Sequence, residues 1–191
     1  MLRKICNFLK LALLLHINKH TMQFVLVDIA DREKFYPFSL TQSVAQCRIG
    51  IYSFQERWEH LLNKETAIYT VPYLQKLYDN SDFLQNKEAA IFINVTCIPT
   101  IELVDAILNL KIGEKIISKS GKWIATYSED RTFEKILLGN FAPITFEQAE
   151  FVQDAIGMLQ LHTKFIENDF TWVKKHVTGI KIDTSNKVIQ P

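Results

Sequence analysis

The chain has 191 residues, of which 48% are hydrophobic and 23% charged, a composition typical of one compact soluble domain and not of a disordered tail. It carries 22 basic and 21 acidic side chains, a formal net charge of +1, with both signs spread along the sequence. A protein that binds nucleic acid through its phosphates needs a broad basic stripe, so we expect no nucleic-acid partner.

The first 21 residues differ from the rest, and we divide the chain into an N-terminal extension, residues 1–21, and a domain, residues 22–191. Arg3 and Lys4 precede an apolar stretch, Ile5 to Ile17, that is too short and too interrupted to span about 30 Å of hydrocarbon, so no membrane partner is predicted. A secretory signal peptide is a second interpretation, but polar residues stand where a small-residue cleavage site belongs. We favour a third, in which Met22 is a natural start, because the strand-like run that follows it needs nothing before it.

From Met22 onward, apolar runs of strand length alternate with longer amphipathic stretches, and this alternation predicts βαβ units in an α/β domain with a mainly parallel sheet. The strand-like runs are Phe24 to Ile29, Ala67 to Val71 and Ala90 to Val95. They are followed by a mixed segment and two helical stretches, which are Phe35 to Leu62, Tyr73 to Tyr78 and Thr100 to Leu110. Pro72 and Pro99 mark strand-to-helix corners, since their fixed φ suits the first turn of a helix.

The second half of the domain begins with a predicted hairpin. Its strands are Lys115 to Ser118 and Trp123 to Tyr127, on either side of a turn at residues 119–122. Mixed helical stretches follow Ser128, and one of them runs from about His162 to His176.

The thiols and histidines give no metal or disulfide pattern. Cys6, Cys47 and Cys97 are far apart and form no C-x-x-C pair, so we expect reduced thiols in a cytoplasmic protein. Cys97 could be a nucleophile if a histidine lay near it, but a buried structural cysteine is the favoured interpretation. His16 and His20 have the i, i+4 spacing of two metal ligands, yet no third ligand accompanies them.

Common catalytic motifs are also absent from the sequence. The six glycines never cluster, so neither G-x-G-x-x-G nor the P-loop motif occurs. There is no G-x-S-x-G nucleophile elbow and no H-E-x-x-H helix, which lowers the expectation of a hydrolase without excluding one.

The segment Val27 to Trp58 is the most informative part of the sequence. A loop that follows the first parallel strand and opens towards a helix is where α/β sheets place ligands. This loop is dense in charged and polar groups, namely Asp28, Asp31, Arg32, Lys34, Thr41 and Arg48. The alternative is that these groups merely solvate a long loop that aromatic side chains hold against the core.

Three blocks of residues resemble a known family. The first comprises Asp28, Tyr36, Pro37, Phe38, Ser39, Leu40, Thr41, Val44, Ala45, Arg48, Gly50, Ile51, Glu56, Arg57, Trp58 and Glu59. The second comprises Asn94, Ile98 and Pro99, and the third runs from Leu103 to Glu114 and continues at Ile124 and Ala125. In order and spacing these blocks resemble sugar nucleotidyltransferases similar to the N-terminal domain of bifunctional N-acetylglucosamine-1-phosphate uridyltransferase/acetyltransferase proteins.

The resemblance implies a Rossmann-like nucleotide-diphospho-sugar transferase fold. It also implies transfer of a nucleotidyl group from a nucleoside triphosphate to a sugar phosphate, with release of pyrophosphate, in nucleotide-sugar biosynthesis for cell envelope polysaccharide. Mg2+ is the implied cofactor, with ligands expected from Asp28, Asp31 or elsewhere. Relatives usually continue into a left-handed β-helix of hexapeptide repeats; because this chain stops at Pro191 before any such repeat, we expect only the nucleotidyltransferase-like half.

On this basis we predict Arg48 and Asp28 as catalytic residues, and Arg32, Thr41, Gly50 and Asn94 as nucleotide- or phosphate-binding residues. The sequence departs from the family where a Thr-Arg-Pro segment is expected, because Gln42 and Ser43 follow Thr41. An amide cannot reproduce bidentate binding of phosphate by a guanidinium. Val95 likewise replaces the glycine after Asn94. These departures leave open an alternative: a noncatalytic binding or scaffolding domain of the same fold.

Overall fold

The structure, a computed structural model, describes residues 22–78 and 88–176. Six strands of these residues form one sheet in the order β4-β1-β5-β7-β6-β8, and a two-stranded hairpin, β2-β3, stands apart. The strands are β1 (Gln23–Val27), β2 (Arg48–Ile49), β3 (Tyr52–Ser53), β4 (Ala67–Tyr69), β5 (Ala90–Asn94), β6 (Glu114–Ser118), β7 (Trp123–Ser128) and β8 (Ala142–Phe146).

The sheet is mainly parallel, as predicted. Strand β1 pairs in parallel with both β4 and β5, and β6 pairs in parallel with β8, whereas β7 runs antiparallel to β5 and β6. The register places Val27 opposite both Tyr69 and Asn94, so the carboxyl ends of these three strands lie side by side. Because β7 runs the other way, its start lies beside the end of β5. The residues that follow β1 therefore open onto the edge of the sheet at which parallel folds bind ligands.

Five α-helices lie within the described residues, and local sequence signals explain where the first three start. They are α1 (Phe54–Leu62), α2 (Pro72–Gln75), α3 (Ile101–Leu108), α4 (Phe133–Leu138) and α5 (Ala155–His176). Helix α1 begins with a capping box, in which the Ser53 hydroxyl accepts from the Glu56 amide and the Glu56 carboxylate accepts from the Ser53 amide. Pro72 occupies the first turn of α2, and the Thr100 side chain caps α3.

The core lies on both faces of the sheet, because side chains of a strand alternate between its faces. Phe24 and Leu26 of β1 belong to the larger cluster, which α1, α3 and α5 cover, whereas Val25 and Val27 belong to a smaller cluster on the other face. Cys97 is fully buried in the larger cluster, and burial raises the pKa of its thiol to about 12. This confirms the interpretation of Cys97 as a buried structural cysteine.

The structure differs from the predicted elements in three places. The predicted helix from Tyr73 to Tyr78 is a single turn, and the predicted helix from about His162 already begins at Ala155. Strand β8 was missed because it contains Pro143. Among the described strands it pairs only with β6, so it lies at the edge of the sheet, where proline is tolerated. The hairpin of β6 and β7 is confirmed.

The predictions about the membrane and the N-terminal extension can be compared only in part. Within residues 22–78 and 88–176, no helix is both long and apolar enough to cross a bilayer. Cys6, His16, His20 and the interpretations of the extension at 1–21 lie outside the described residues, and the division of the chain at Met22 stays a prediction.

Candidate functional site

Asp28 and Arg32 meet in a buried ion pair where the chain leaves β1. Arg32 Nη1 donates to Asp28 Oδ2 at 3.1 Å. Arg32 is 4% exposed and Asp28 is 1% exposed. The same oxygen accepts the Ser43 hydroxyl and the Val44 amide, each at 2.6 Å. Three donors therefore converge on one carboxylate oxygen. The loop at 28–44 is folded back on the end of β1 by this network.

Enclosure has a cost for the Asp28 carboxylate. Removal from water raises its pKa above the ordinary value of 3.8, while hydrogen bonds from Ser43, Thr70 and Val44 and the charge of Arg32 act in the opposite direction. Arg32 Nε is also buried, and it has no hydrogen-bond partner among the described residues.

The remaining donors of Arg32 connect it to the rest of the loop. Its Nη2 donates to the Gln42 carbonyl at 3.2 Å and to the Tyr73 hydroxyl at 3.4 Å, and its Nη1 also reaches the Thr70 hydroxyl at 3.4 Å. The Ser39 hydroxyl donates to the Arg32 carbonyl. Arg32 thus holds the loop to β4 and α2. In this conformation both Nη1 and Nη2 of its guanidinium donate to acceptors of the protein itself.

Asn94 and Thr41 are the other predicted residues near this network. Asn94 ends β5 opposite Val27, its Nδ2 donates to the Trp123 carbonyl, and its Oδ1 accepts from the Thr96 amide and hydroxyl. Thr41 is exposed and adjoins Gln42. Asp28, Arg32 and Asn94 are therefore brought to one edge of the sheet, and the Asn94 amide is occupied at both ends.

Gly50 and Arg48 lie in the β2-β3 hairpin, in a second group. Gly50 has φ +79°, and a Cβ at this position would come within 2.5 Å of Asp169 Oδ2 and 2.8 Å of Phe165. Its amide donates to His162 Nδ1 at 3.1 Å. Glycine is needed here because the hairpin turns with positive φ directly against α5.

Arg48 is the exposed member of the predicted set. Its side chain is 61% exposed, its Nη1 donates to the Ile51 carbonyl, and the same nitrogen lies 3.3 Å from Glu56 Oε2. Arg48 Nε and Nη2 have no partner within the part of the chain that the structure describes. This leaves Arg48 able to bind an anionic group without breaking the fold.

A third charged contact, between Arg57 and Asp169, was missed by the sequence analysis. Arg57 Nη1 and Nη2 donate to Asp169 Oδ1 and Oδ2 at 2.7 and 2.9 Å, a bidentate pair that is almost fully buried. Asp169 also accepts the Ile51 amide, and Arg57 donates to the Ile49 carbonyl. Arg57 lies in the first block of the family resemblance, but no local spacing could have pointed to an acid 112 positions later.

A cavity of about 390 Å³ lies between the loop that follows β1 and helix α5. It is lined by Phe38, Gln42, Gln46, Cys47, Arg48, Met158, Leu159 and His162. Arg48, predicted from the sequence, and Gln42, the position of the family departure, share this cavity with His162, which sequence analysis did not place in any site. His162 was missed because the contact that orients it is a hydrogen bond from the backbone amide of Gly50, 112 residues away in the sequence.

The acidic side chains of this region do not fit a Mg2+ ion. The Asp28 carboxylate is 1% exposed, and its Oδ2 already accepts from Arg32, Ser43 and Val44, so it is not accessible to a hydrated ion. The two oxygens of Asp31 are each paired with a lysine, Lys34 at 2.8 Å and Lys122 at 3.5 Å. No group of three or more metal-binding side chains occurs within residues 22–78 and 88–176, so we derive no step through a metal.

Comparison with known proteins bears on the identity of the chain. A search of curated proteins finds no match. Among solved structures, a protein from Bacillus anthracis described as a glucose-1-phosphate thymidylyltransferase, crystallised with sucrose, matches with a TM-score of 0.47 and 9% identity. The match covers 77% of this chain and 96% of that one. A family model described as "Sugar nucleotidyl transferase" matches residues 24–178, which is most of the chain and includes every predicted site residue. The chain therefore belongs to the sugar nucleotidyl transferase family.

Proposed function

We propose that this domain transfers a nucleotidyl group from a nucleoside triphosphate to a sugar phosphate and releases pyrophosphate. Membership of the family supports the proposal. The observation that carries it is that the polar segment after β1, which begins at the edge of the sheet where parallel folds bind ligands, contains a guanidinium, Arg48, with Nε and Nη2 free among the described contacts. A cytoplasmic location and a role in nucleotide-sugar supply for cell envelope polysaccharide are part of the same proposal.

The reaction defines what the residues must do. A phosphate oxygen of the sugar phosphate attacks the α-phosphorus of the nucleotide; one P–O bond forms, the bond to the bridging oxygen breaks, and its electron pair leaves with pyrophosphate. Catalysis of phosphoryl and nucleotidyl transfer depends mainly on positioning the reactants and neutralising this charge. We assign charge neutralisation to Arg48, and orientation of the loop to Asp28 with Arg32. Thr41, Gly50 and Asn94 remain proposed binding residues.

A noncatalytic binding or scaffolding domain is the second candidate. It is favoured because three predicted site residues already bind other groups of the protein. Arg32 and Asp28 form an ion pair with each other, and both the nitrogen and the oxygen of the Asn94 side-chain amide have hydrogen-bond partners. The substitutions at Gln42, Ser43 and Val95 point the same way, because the first removes a guanidinium from the loop.

Pyrophosphate release separates the two candidates. The protein is mixed with ATP, CTP, GTP, UTP or dTTP and Mg2+, first alone to measure the rise in melting temperature and then with glucose 1-phosphate or N-acetylglucosamine 1-phosphate to measure pyrophosphate. We expect one nucleotide to stabilise the protein and to release pyrophosphate only with a sugar phosphate. Stabilisation without pyrophosphate release would favour the noncatalytic binding domain. If no nucleotide raises the melting temperature or releases pyrophosphate, the protein neither uses nor binds nucleotides and both candidates are wrong as nucleotide-dependent functions.

Two variants make the assay specific. Arg48→Ala removes an exposed cation paired with Glu56, and Lys164→Ala removes a similarly exposed cation paired with Glu150. Both change the net charge equally. Loss of pyrophosphate release in Arg48→Ala alone is the expected result, and equal rates in the two variants would remove Arg48 from the reaction.

A further inference from the structure

The cavity between the loop and α5 has an unusual balance of groups. Among the described residues, its lining contains one cation, Arg48, and no carboxylate, together with the side-chain amides of Gln42 and Gln46. Apart from His162, the other lining residues are mostly apolar, chiefly Phe38, Met158 and Leu159. The volume of about 390 Å³ is within the range of small-molecule sites. A ligand that fits must therefore combine an anionic or strongly accepting group with a less polar face.

The hydrogen bond from Gly50 fixes the chemistry of His162 in this cavity. Because His162 Nδ1 accepts the Gly50 amide at 3.1 Å, that nitrogen carries no proton, and the ring proton is on Nε2. His162 Nε2 has no partner among the described residues. The ring is thus held as a hydrogen-bond donor by a backbone amide whose own position requires glycine.

Arg48 supplies the charge. Among the described contacts, only Nη1 of Arg48 donates to the protein, to the Ile51 carbonyl and to Glu56. Its Nη2 and Nε are therefore available to a ligand. Phosphate groups are commonly bound by a guanidinium together with neutral N–H donors, because an oxygen of the phosphate can accept from each.

We propose that this cavity binds a phosphate group of a substrate, with Arg48 as the charged donor and His162 Nε2 as the neutral one. The inference rests on the proposed function, and it extends it by adding His162 and by placing the phosphate away from the committed Asp28–Arg32 pair. The phosphate belongs either to the sugar phosphate or to the nucleotide, and the two sources are distinguished by the ligands tested.

Calorimetric titration of the full chain tests the proposal. The ligands are glucose 1-phosphate, inorganic phosphate, uncharged glucose, and the nucleotide that gives the largest stabilisation. The variants are Arg48→Gln and His162→Asn; asparagine can still accept the Gly50 amide near the position of Nδ1 but lacks a donor at the position of Nε2. Lys164→Gln is the control, since it removes an equally exposed charge outside the cavity.

We expect glucose 1-phosphate to bind more tightly than glucose. Its Kd should rise about 10- to 100-fold in Arg48→Gln and about 3- to 10-fold in His162→Asn, with no change in Lys164→Gln. If the nucleotide shows these losses instead, the phosphate is the nucleotide's and the proposal stands. Unaltered Kd values for every phosphate ligand in both cavity variants, no binding of any phosphate ligand, or equal affinity for glucose and glucose 1-phosphate would each overturn it.

Failure of this inference is distinguishable from failure of the proposed function. If wild type and both cavity variants release pyrophosphate at the same rate, the cavity is not a phosphate site but the domain is still a nucleotidyltransferase. If the cavity variants weaken phosphate binding while no nucleotide releases pyrophosphate, the cavity is a phosphate site and the catalytic proposal fails.

Discussion

Arg32 and Arg48 belong to the same segment and received similar predicted roles, yet the fold treats them in opposite ways. Arg32 is 4% exposed and donates to a carboxylate, two hydroxyls and a carbonyl. The Arg48 side chain is 61% exposed and uses one of its nitrogens. A buried guanidinium whose Nη1 and Nη2 both donate to protein acceptors maintains a loop, whereas an exposed one with Nη2 and Nε free among the described contacts can bind a ligand. The contrast shows that residue type and position in a loop do not by themselves assign a role to an arginine. The protein acceptors that its guanidinium already contacts must be known as well.

Removal of the buried arginine should have the largest effect. In Arg32→Met, Asp28 loses its opposite charge while it remains enclosed, and breaking one partner of a buried pair typically costs about 3–5 kcal/mol of unfolding free energy. Urea unfolding near neutral pH measures the loss. In the double variant Asp28→Asn/Arg32→Met, the side-chain amide oxygen introduced at position 28 can still accept the Ser43 and Val44 donors and no charge is buried, so this variant should be more stable than Arg32→Met. A loss of unfolding free energy below about 1 kcal/mol in Arg32→Met would show that Arg32 contributes no more to stability than an exposed arginine does.

The same variant should depend on pH in a defined direction. Burial raises the folded-state pKa of Asp28 above its ordinary value of 3.8, and the Arg32 charge counteracts this rise. Without Arg32 the folded-state pKa is higher still, so the folded protein takes up a proton over a wider range above 3.8 and stability falls as pH rises through that range. The destabilisation relative to wild type should therefore be smaller at about pH 4 than at about pH 7. Urea midpoints at both values test this, and an equal loss at both would indicate that Asp28 stays ionised.

Gly50 tests whether a predicted phosphate-binding glycine is needed for packing. In Gly50→Ala the new Cβ would approach Asp169 and Phe165 with a positive φ, so we expect a loss of roughly 3 kcal/mol from backbone conformation and overpacking together. Gly121→Ala is the matched control, because Gly121 has φ +82° and no atom within 4 Å of the added Cβ; it should lose only about 1–2 kcal/mol. Thermal unfolding of both variants measures the difference. Equal losses would show that the approach of α5 does not require glycine.

The sequence predicted the parts of the fold that depend on short-range patterns. The apolar runs at β1 and β5, the hairpin of β6 and β7 and the proline at the start of α2 were all recognisable, because periodicity and turn residues are local signals. Strand β8 was not recognisable, since an exposed edge strand containing proline carries neither an apolar run nor a clean alternation.

The candidate site was predictable only in its loop. The segment Val27 to Trp58 was predicted to be the ligand-binding loop because it is dense in polar groups, and its role stays a prediction. Two of the contacts that organise it come from helix α5, far along the chain. His162 reaches Gly50 across 112 positions, and Asp169 reaches Arg57 across the same separation. Neither contact leaves a trace in local spacing. Long-range contacts of α5 therefore decide which loop residues are available, and motifs and hydrophobic periodicity do not reveal such contacts.

The smallest expected effect completes the contrast with Arg32. Arg48→Ala removes one exposed ion pair with Glu56, and such pairs contribute about 0–1 kcal/mol, so its unfolding free energy should stay within about 1 kcal/mol of wild type. Glu56→Ala should cost more, because the Glu56 carboxylate also accepts the Ser53 amide at 2.7 Å in the capping box of α1. Urea unfolding at low and high salt measures both, and the Arg48 effect should shrink with salt because exposed charges are screened. A loss in Arg48→Ala as large as that in Arg32→Met would make Arg48 a structural residue, and its free nitrogens could then no longer be taken as a sign of ligand binding.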